Sequence, residues 1–91
     1  MLTTDGIVKR VDFCEMEIRS KIYHKVDLQI KDMPDVFTFW TSDAKQAECL
    51  RNYLHVGVKV WLAFYCKKVR GRDMYFINSM ELQRRYMKHD N

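Results

Sequence analysis

The chain has 91 residues, 47% hydrophobic and 31% charged, which is typical of one folded domain and not of a disordered protein. Its 16 Lys and Arg residues exceed its 12 Asp and Glu residues, and the net charge of +4 favours a polyanionic partner only weakly. The segment MLTTDGIVKR has no apolar signal region and no apolar run approaches the roughly 18 residues of a membrane helix, so we expect neither secretion nor a membrane partner.

The first predicted strand runs from Gly6 to about Met16. Apolar residues occupy both parities within it, with Val8 on one parity and Val11 and Phe13 on the other. Mixed parity over this length predicts a long strand with a bend or a bulge. The polar and basic stretch that follows, IRSKIYHK, is interpreted as a loop or the frayed end of a hairpin.

The second and third predicted strands lie on either side of a proline-containing break. Val26, Leu28 and Ile30 alternate with polar residues, which indicates a strand with one buried face. The sequence Met33-Pro34-Asp35 ends that strand. The segment 36–41 is rich in β-branched and aromatic residues and predicts the third strand.

A helix of about three turns is predicted after the third strand. Asp43 offers an N-cap, and Gln46 follows it at the spacing of a capping box. Leu50 and Leu54 lie on one side at helical spacing, and Gly57 is expected to be the C-terminal cap.

The segment from Gly57 to Leu82 is predicted to form a β-hairpin with its turn at Gly71. On the first arm, alternation separates an apolar face suited to a core from a face of rings and cations. The apolar face consists of Val58, Val60, Leu62 and Phe64, and the other face of Lys59, Trp61, Ala63, Tyr65 and Lys67. On the second arm either Tyr75 with Ile77, or Phe76 with Met80, is expected to fill the interior.

This order of three strands, one helix and two strands resembles the OB-fold, from GIVKRV through Leu54, Gly57 and Val60 to YFINSMEL. The resemblance implies an all-β fold with one helix: a five-stranded Greek-key barrel over residues 1–83, with the helix between strands 3 and 4. Residues 84–91 are then a basic C-terminal tail. In OB-folds the face of strands 2 and 3 binds oligonucleotides or oligosaccharides, together with the loops joining strands 1 and 2 and strands 4 and 5.

By position, those two loops correspond to Arg19–Lys25 and Lys67–Asp73, and both are basic. We expect the two loops to lie on the same rim of the barrel and to act as one cationic clamp. The expected ligand is single-stranded nucleic acid, with DNA favoured over RNA and with little sequence preference. Aromatic rings are expected to stack on bases. The predicted binding residues are Arg19, Lys21, Tyr23, Lys25, Trp40, Lys59, Trp61, Tyr65, Lys67, Lys68, Arg70 and Arg72.

Other functions stay open at this point. Trp61 and Tyr65 are equally compatible with packing inside the fold, or with a face that docks a partner protein or a second copy in a larger nucleic-acid-processing complex. A translation or tRNA-associated OB module is a third alternative. The sequence has no P-loop, dinucleotide motif or zinc pattern, so we predict no enzyme activity, catalytic residue, cofactor or metal.

The three cysteines, Cys14, Cys49 and Cys66, cannot all pair with one another. None lies in a CxxC motif or near a histidine at metal-ligand spacing. We therefore expect an intracellular protein of the cytoplasm or nucleus, with the cysteines as small apolar core residues.

Overall fold

The computed structural model describes residues 1–83 and contains a closed five-stranded β-barrel with one helix. The elements in chain order are β1 (Leu2–Ile18), β2 (Lys21–Ile30), β3 (Val36–Thr41), α1 (Ala44–Tyr53), β4 (Lys59–Val69) and β5 (Arg72–Leu82). Around the barrel the strand order is β1-β2-β3-β5-β4, with β3 and β5 parallel and the other pairs antiparallel. The predicted OB-like fold class is confirmed, and the predicted basic tail over 84–91 lies outside the described residues.

A bulge divides the long strand β1 into two halves. Leu2–Ile7 pair with β4, and the pairing of β1 with β2 shifts register between Val8 and Arg10. Val8 before the bulge is 1% exposed, and Phe13 after it packs against the same core. The extra residue reverses the parity, which explains the apolar residues on both parities and confirms the predicted bulge.

Both hairpins turn through only two residues. Arg19 and Ser20 have φ values of 53° and 66°, and Arg70 and Gly71 have values of 53° and 80°. Two positive φ values in a two-residue connection are the signature of a type I′ turn. The predicted loops over Arg19–Lys25 and Lys67–Asp73 are therefore wrong, because all but the turn residues belong to strands.

A second bulge, in β5, settles which aromatic residues fill the barrel. Phe64 pairs with Ile77 but Ala63 pairs with Ser79, so Asn78 is the extra residue. Tyr75 and Ile77 pack with the core before the bulge, and Met80 packs with it after the bulge. Of the two expected sets Tyr75 with Ile77 is confirmed, while Met80 joins them and Phe76 faces outward.

Three aromatic residues pack against one another in the part of the core next to the β4–β5 hairpin. The ring centroids of Phe37 and Phe64 lie 4.9 Å apart, and Tyr75 lies 5.8 Å from each of them. Phe37 is 1% exposed, which makes it the largest fully buried side chain in residues 1–83.

Helix α1 begins at the predicted cap but without the predicted capping box. The Asp43 carboxylate accepts hydrogen bonds from the backbone N–H groups of Lys45 and Gln46, at 2.9 and 3.3 Å. Gln46 Oε1 instead accepts from the Thr41 hydroxyl, which itself accepts from the Asp43 N–H at 3.0 Å. Thr41 thus takes the position that the capping box assigns to the side chain of Gln46.

At its other end α1 closes the barrel with Leu50 and Leu54, which are 8% and 0% exposed. Gly57 is not the helix cap, because the helix ends at Leu54 in an extended conformation. Gly57 lies in the following turn with φ 96°, and its N–H donates to Val8 O at 2.8 Å. Within residues 1–83 no helix has the length and apolar character needed to cross a membrane.

The cysteines do not contribute to the core. Cys14, Cys49 and Cys66 are all exposed and unpaired, so the expectation of small apolar core residues is wrong. Cys14 and Cys66 lie on strands, and Cys49 lies on the solvent side of α1.

Candidate functional site

Four residues form one row across the outer face of four strands. Asp27 of β2 pairs with Thr38 of β3, and Thr38 pairs with Phe76 of β5. Phe76 in turn pairs with Tyr65 of β4, and their rings lie 5.6 Å apart at 31°. Trp40 lies two residues beyond Thr38 on the same face of β3, because side chains on one face of a strand alternate.

A groove of about 680 Å³ lies over this row, and we call it the β2–β3 groove. One end is bounded by the break between β2 and β3 and by the β4–β5 turn. Trp40 is 39% exposed, so its ring is accessible from the groove. The lining combines rings, aliphatic side chains and charges of both signs, including Lys25, Asp27, Asp35, Val36, Thr38, Trp40, Arg72, Asp73, Met74 and Phe76.

The floor of the groove carries a polar network around Asp27. Its Oδ1 accepts a hydrogen bond from Thr38 Oγ1 at 2.6 Å, and its Oδ2 lies 3.4 Å from Lys25 Nζ. Lys25 Nζ also lies 5.8 Å from the centroid of the Trp40 ring, within the range of a cation–π contact. One ammonium therefore lies beside both the Asp27 carboxylate and the exposed Trp40 ring.

The β1–β2 hairpin extends the same face beyond the groove. Lys21, Tyr23 and Lys25 occupy alternate positions of β2 and so share its outer face. Lys21 Nζ lies 5.7 Å from the centroid of the Tyr23 ring. These three predicted residues are brought together with Trp40, and Arg19 lies at the adjoining turn.

The β4–β5 hairpin supplies a second group of cations, not all of them free for a ligand. Lys68 Nζ lies 3.4 Å from Asp73 Oδ1, and both side chains are exposed. Arg72 lines the groove, and Lys67 shares the outer face with Met74, its cross-strand partner. Arg70 lies in the turn itself.

The expectation that both basic segments lie on one rim is wrong. The β1–β2 turn lies beyond the end of β3, where Thr41 pairs with His24. The β4–β5 turn lies beyond the opposite end of β3, since Phe37 pairs with Tyr75. Six strand residues span roughly 20 Å. The two groups of cations therefore flank the β2–β3 groove from opposite ends.

Trp61 and Lys59 lie away from the groove. Trp61 is half-buried on the outer face of β4, and its cross-strand partners are Asp5 on β1 and Glu81 on β5. Two flanking carboxylates repel phosphate, which makes this ring a poor base platform. Tyr65 differs because it is 44% exposed and its ring continues the row through Phe76.

Asp35 and Asp73 make one end of the groove locally acidic. The Asp35 carboxylate raises the pKa of the Tyr75 hydroxyl above its ordinary value of 10.0, and burial, Cys66 and Asp73 add to this. Tyr75 therefore stays neutral at physiological pH. The cations at this end act beside two carboxylates rather than in a uniformly positive field.

Sequence reasoning missed Asp27, Thr38, Met74 and Phe76. The alternation of Val26, Leu28 and Ile30 already puts Asp27 on the outer face of β2, so a signal was present for that residue. Phe76 had none, because its direction depends on the bulge at Asn78.

The chain matches no protein-family model and no curated protein. In the described part of the chain, no group of three or more His, Cys, Asp or Glu side chains is arranged to hold a metal ion. The geometry and chemistry of the groove are therefore the basis for any functional conclusion.

Proposed function

We propose that this chain binds single-stranded nucleic acid across the β2–β3 groove, with DNA favoured over RNA. The observation that carries the proposal is the exposed Trp40 ring in a groove that Lys25 and Arg72 also line. The OB-like barrel supports it, because the same face of OB-folds binds oligonucleotides. The resemblance to that family in order and pattern points the same way.

The mechanism combines stacking with phosphate contacts. Bases stack on Trp40 and on Tyr23, each beside a lysine whose ammonium is also placed to meet a phosphate. The cations at the two ends of the groove contact the backbone as it enters and leaves. A duplex is disfavoured, because its bases are already stacked and cannot reach the rings.

The alternative is a protein-interaction subunit that uses the face of Trp61 and Tyr65. The acidic flanks of Trp61 favour this alternative for that ring, since Asp5 and Glu81 suit a basic protein partner better than a phosphate chain. Self-association through this face is the simplest form of it.

Trp40→Ala is expected to weaken oligonucleotide binding by about 1 to 3 kcal/mol without unfolding the barrel, because it removes a stacking surface from a partly exposed position. Fluorescence anisotropy with labelled oligo-dT and oligo-U measures the loss. In a Trp61→Phe background Trp40 is the sole tryptophan, and its emission should be quenched by single strands but not by duplex DNA.

Tyr53→Ala is the matched control, since Tyr53 is an exposed aromatic residue on α1, away from the groove. Full-strength binding by a folded Trp40→Ala variant would remove Trp40 from the site. If Trp61→Ala instead changes the elution volume in size-exclusion chromatography and no oligonucleotide binds, the interaction alternative replaces the proposal.

The double reversal Lys67→Glu and Arg72→Glu is expected to reduce affinity and flatten its salt dependence. If four to six phosphates are contacted, the log-log salt slope should be about −3 to −4 in the unchanged protein, and losing two contacts should reduce its magnitude by about 1.4. Titrations at several salt concentrations measure both. The control is Lys9→Glu with Lys31→Glu, which changes the net charge by the same amount outside the groove. If the control reduces the affinity and the salt slope as much as Lys67→Glu with Arg72→Glu does, binding depends only on net charge.

A further inference from the structure

Asp27 is an unusual residue for the centre of a surface that binds a polyanion. Its carboxylate lines the groove that contains Trp40 and repels phosphate there. It is nevertheless held firmly, because Thr38, only 7% exposed, donates to Oδ1 at 2.6 Å. A carboxylate fixed in this way is complementary to a ligand group that donates hydrogen bonds.

The network leaves acceptor capacity on Asp27. An ionised carboxylate offers about four lone-pair positions and donates nothing. The Thr38 hydroxyl occupies one, and Lys25 Nζ at 3.4 Å is a longer contact to the other oxygen. The side chain remains 29% exposed, so the carboxylate has lone-pair positions left for hydrogen bonds from the groove.

The distance between Asp27 and the Trp40 ring indicates which kind of ligand group can donate to the carboxylate. Thr38, its cross-strand partner, precedes Trp40 by two residues on the same face, a separation of about 7 Å. Asp27 is therefore within reach of the edge of a base stacked on Trp40. A planar base with two adjacent N–H donors on that edge pairs with both carboxylate oxygens.

Guanine is the base that fits. Its Watson–Crick edge has the N1–H and the N2 amino group side by side, whereas cytosine and adenine each offer one amino group. Thymine and uracil offer one imino N–H between two carbonyl oxygens, which a carboxylate repels. We infer that Asp27 selects guanine at the Trp40 position of the groove. This inference rests on the proposed function and adds a base preference to it, whereas the sequence alone predicted binding with little sequence preference.

The test compares oligo-dT with the same strand carrying one central dG, dA, dC or inosine, by anisotropy at constant salt. The dG strand is expected to bind about 5- to 100-fold more tightly than oligo-dT. Inosine keeps N1–H but lacks the N2 amino group, so its strand should bind with intermediate affinity. Equal affinities for the dG and oligo-dT strands would overturn the inference.

Asp27→Asn separates recognition from simple repulsion. Removing the charge should raise affinity for oligo-dT slightly, while the ratio of dG to oligo-dT affinities falls towards one. Asp12→Asn is the matched control, because Asp12 is the cross-strand neighbour of Asp27 but is paired with Arg10 outside the groove. An unchanged ratio in Asp27→Asn, or an equal fall in Asp12→Asn, would overturn the inference.

Thr38 acts as a positioning residue for the carboxylate. Thr38→Val removes the hydroxyl and should lower the dG ratio, while Thr38→Ser keeps it and should preserve the ratio. A merely structural role would alter stability in both variants but leave the ratio unchanged. If oligo-dT binds and quenches Trp40 without any dG preference, the inference fails and the proposed function stands. If no single strand binds, both fail.

Discussion

Leu54→Ala is expected to lower the free energy of unfolding by about 2 to 5 kcal/mol. Leu54 is 0% exposed and belongs to the core cluster at the end of α1, where its N–H also donates to Leu50 O at 2.8 Å. Truncation leaves a cavity where the helix closes the barrel, and the surrounding strands cannot collapse into it without breaking their ladders. Urea unfolding followed by circular dichroism measures the change.

Tyr53→Ala provides the control within the same turn of chain. Tyr53 is 50% exposed, so its truncation should change the free energy of unfolding by less than about 0.5 kcal/mol. Equal midpoints for Leu54→Ala and Tyr53→Ala would mean that α1 does not close the barrel.

Gly6→Ala is expected to destabilise the barrel by about 1 to 3 kcal/mol, although the change adds only a methyl group. A Cβ at Gly6 would overlap the γ2 methyl of Ile30, which is 1% exposed and cannot move into solvent. Gly6 pairs with Val60 on β4, so the backbone is also held from the other side. The reason is this close approach and not a backbone conformation that only glycine adopts.

A double-mutant cycle with Ile30→Ala tests this cause directly. Ile30→Ala is itself destabilising, but it removes the methyl group that the new Cβ would meet. Gly6→Ala should therefore cost less in the Ile30→Ala background, with a coupling energy of about 0.5 to 3 kcal/mol. Strictly additive losses in thermal or urea melts would show that another contact excludes the methyl group.

The parts of the fold that the sequence predicted correctly depend on local patterns. Val60, Leu62 and Phe64 alternate on β4 and are all buried, as expected from a period of two. The N-cap at Asp43 was also predicted, because a carboxylate that accepts from the first helical N–H groups is favoured there whatever the tertiary context.

The parts that the sequence did not predict depend on pairing between distant residues. The turn at Arg19 and Ser20 contains no glycine or asparagine, so nothing local marks two positive φ values. Long strand pairing on both sides imposes this conformation. Gly57, conversely, looked like a helix cap because of its spacing, but its positive φ serves the turn into β4.

The same distinction applies to the candidate site. Lys25 and Trp40 were both predicted as binding residues from sequence, and they form a cross-strand pair. The prediction that both basic segments lie on one rim was wrong. Strand register decides which end of β3 each hairpin approaches, and register has no local signal in the sequence. Phe76 was not assigned to the outer face because a bulge without glycine decides its direction.

The junction between β3 and β5 has a consequence for the kinetics of folding. It is the parallel pairing of the barrel and consists of two residue pairs, Phe37 with Tyr75 and Thr38 with Phe76. The β1–β2 and β4–β5 hairpins form between near neighbours, whereas this junction joins segments separated by the helix and a whole strand. Loop closure opposes such contacts until both hairpins exist, so the barrel closes late and folding is slow for a chain of this size. The residues of this junction therefore assemble after both hairpins, so Phe37 and Tyr75 complete the aromatic core in the same step that forms the floor of the β2–β3 groove.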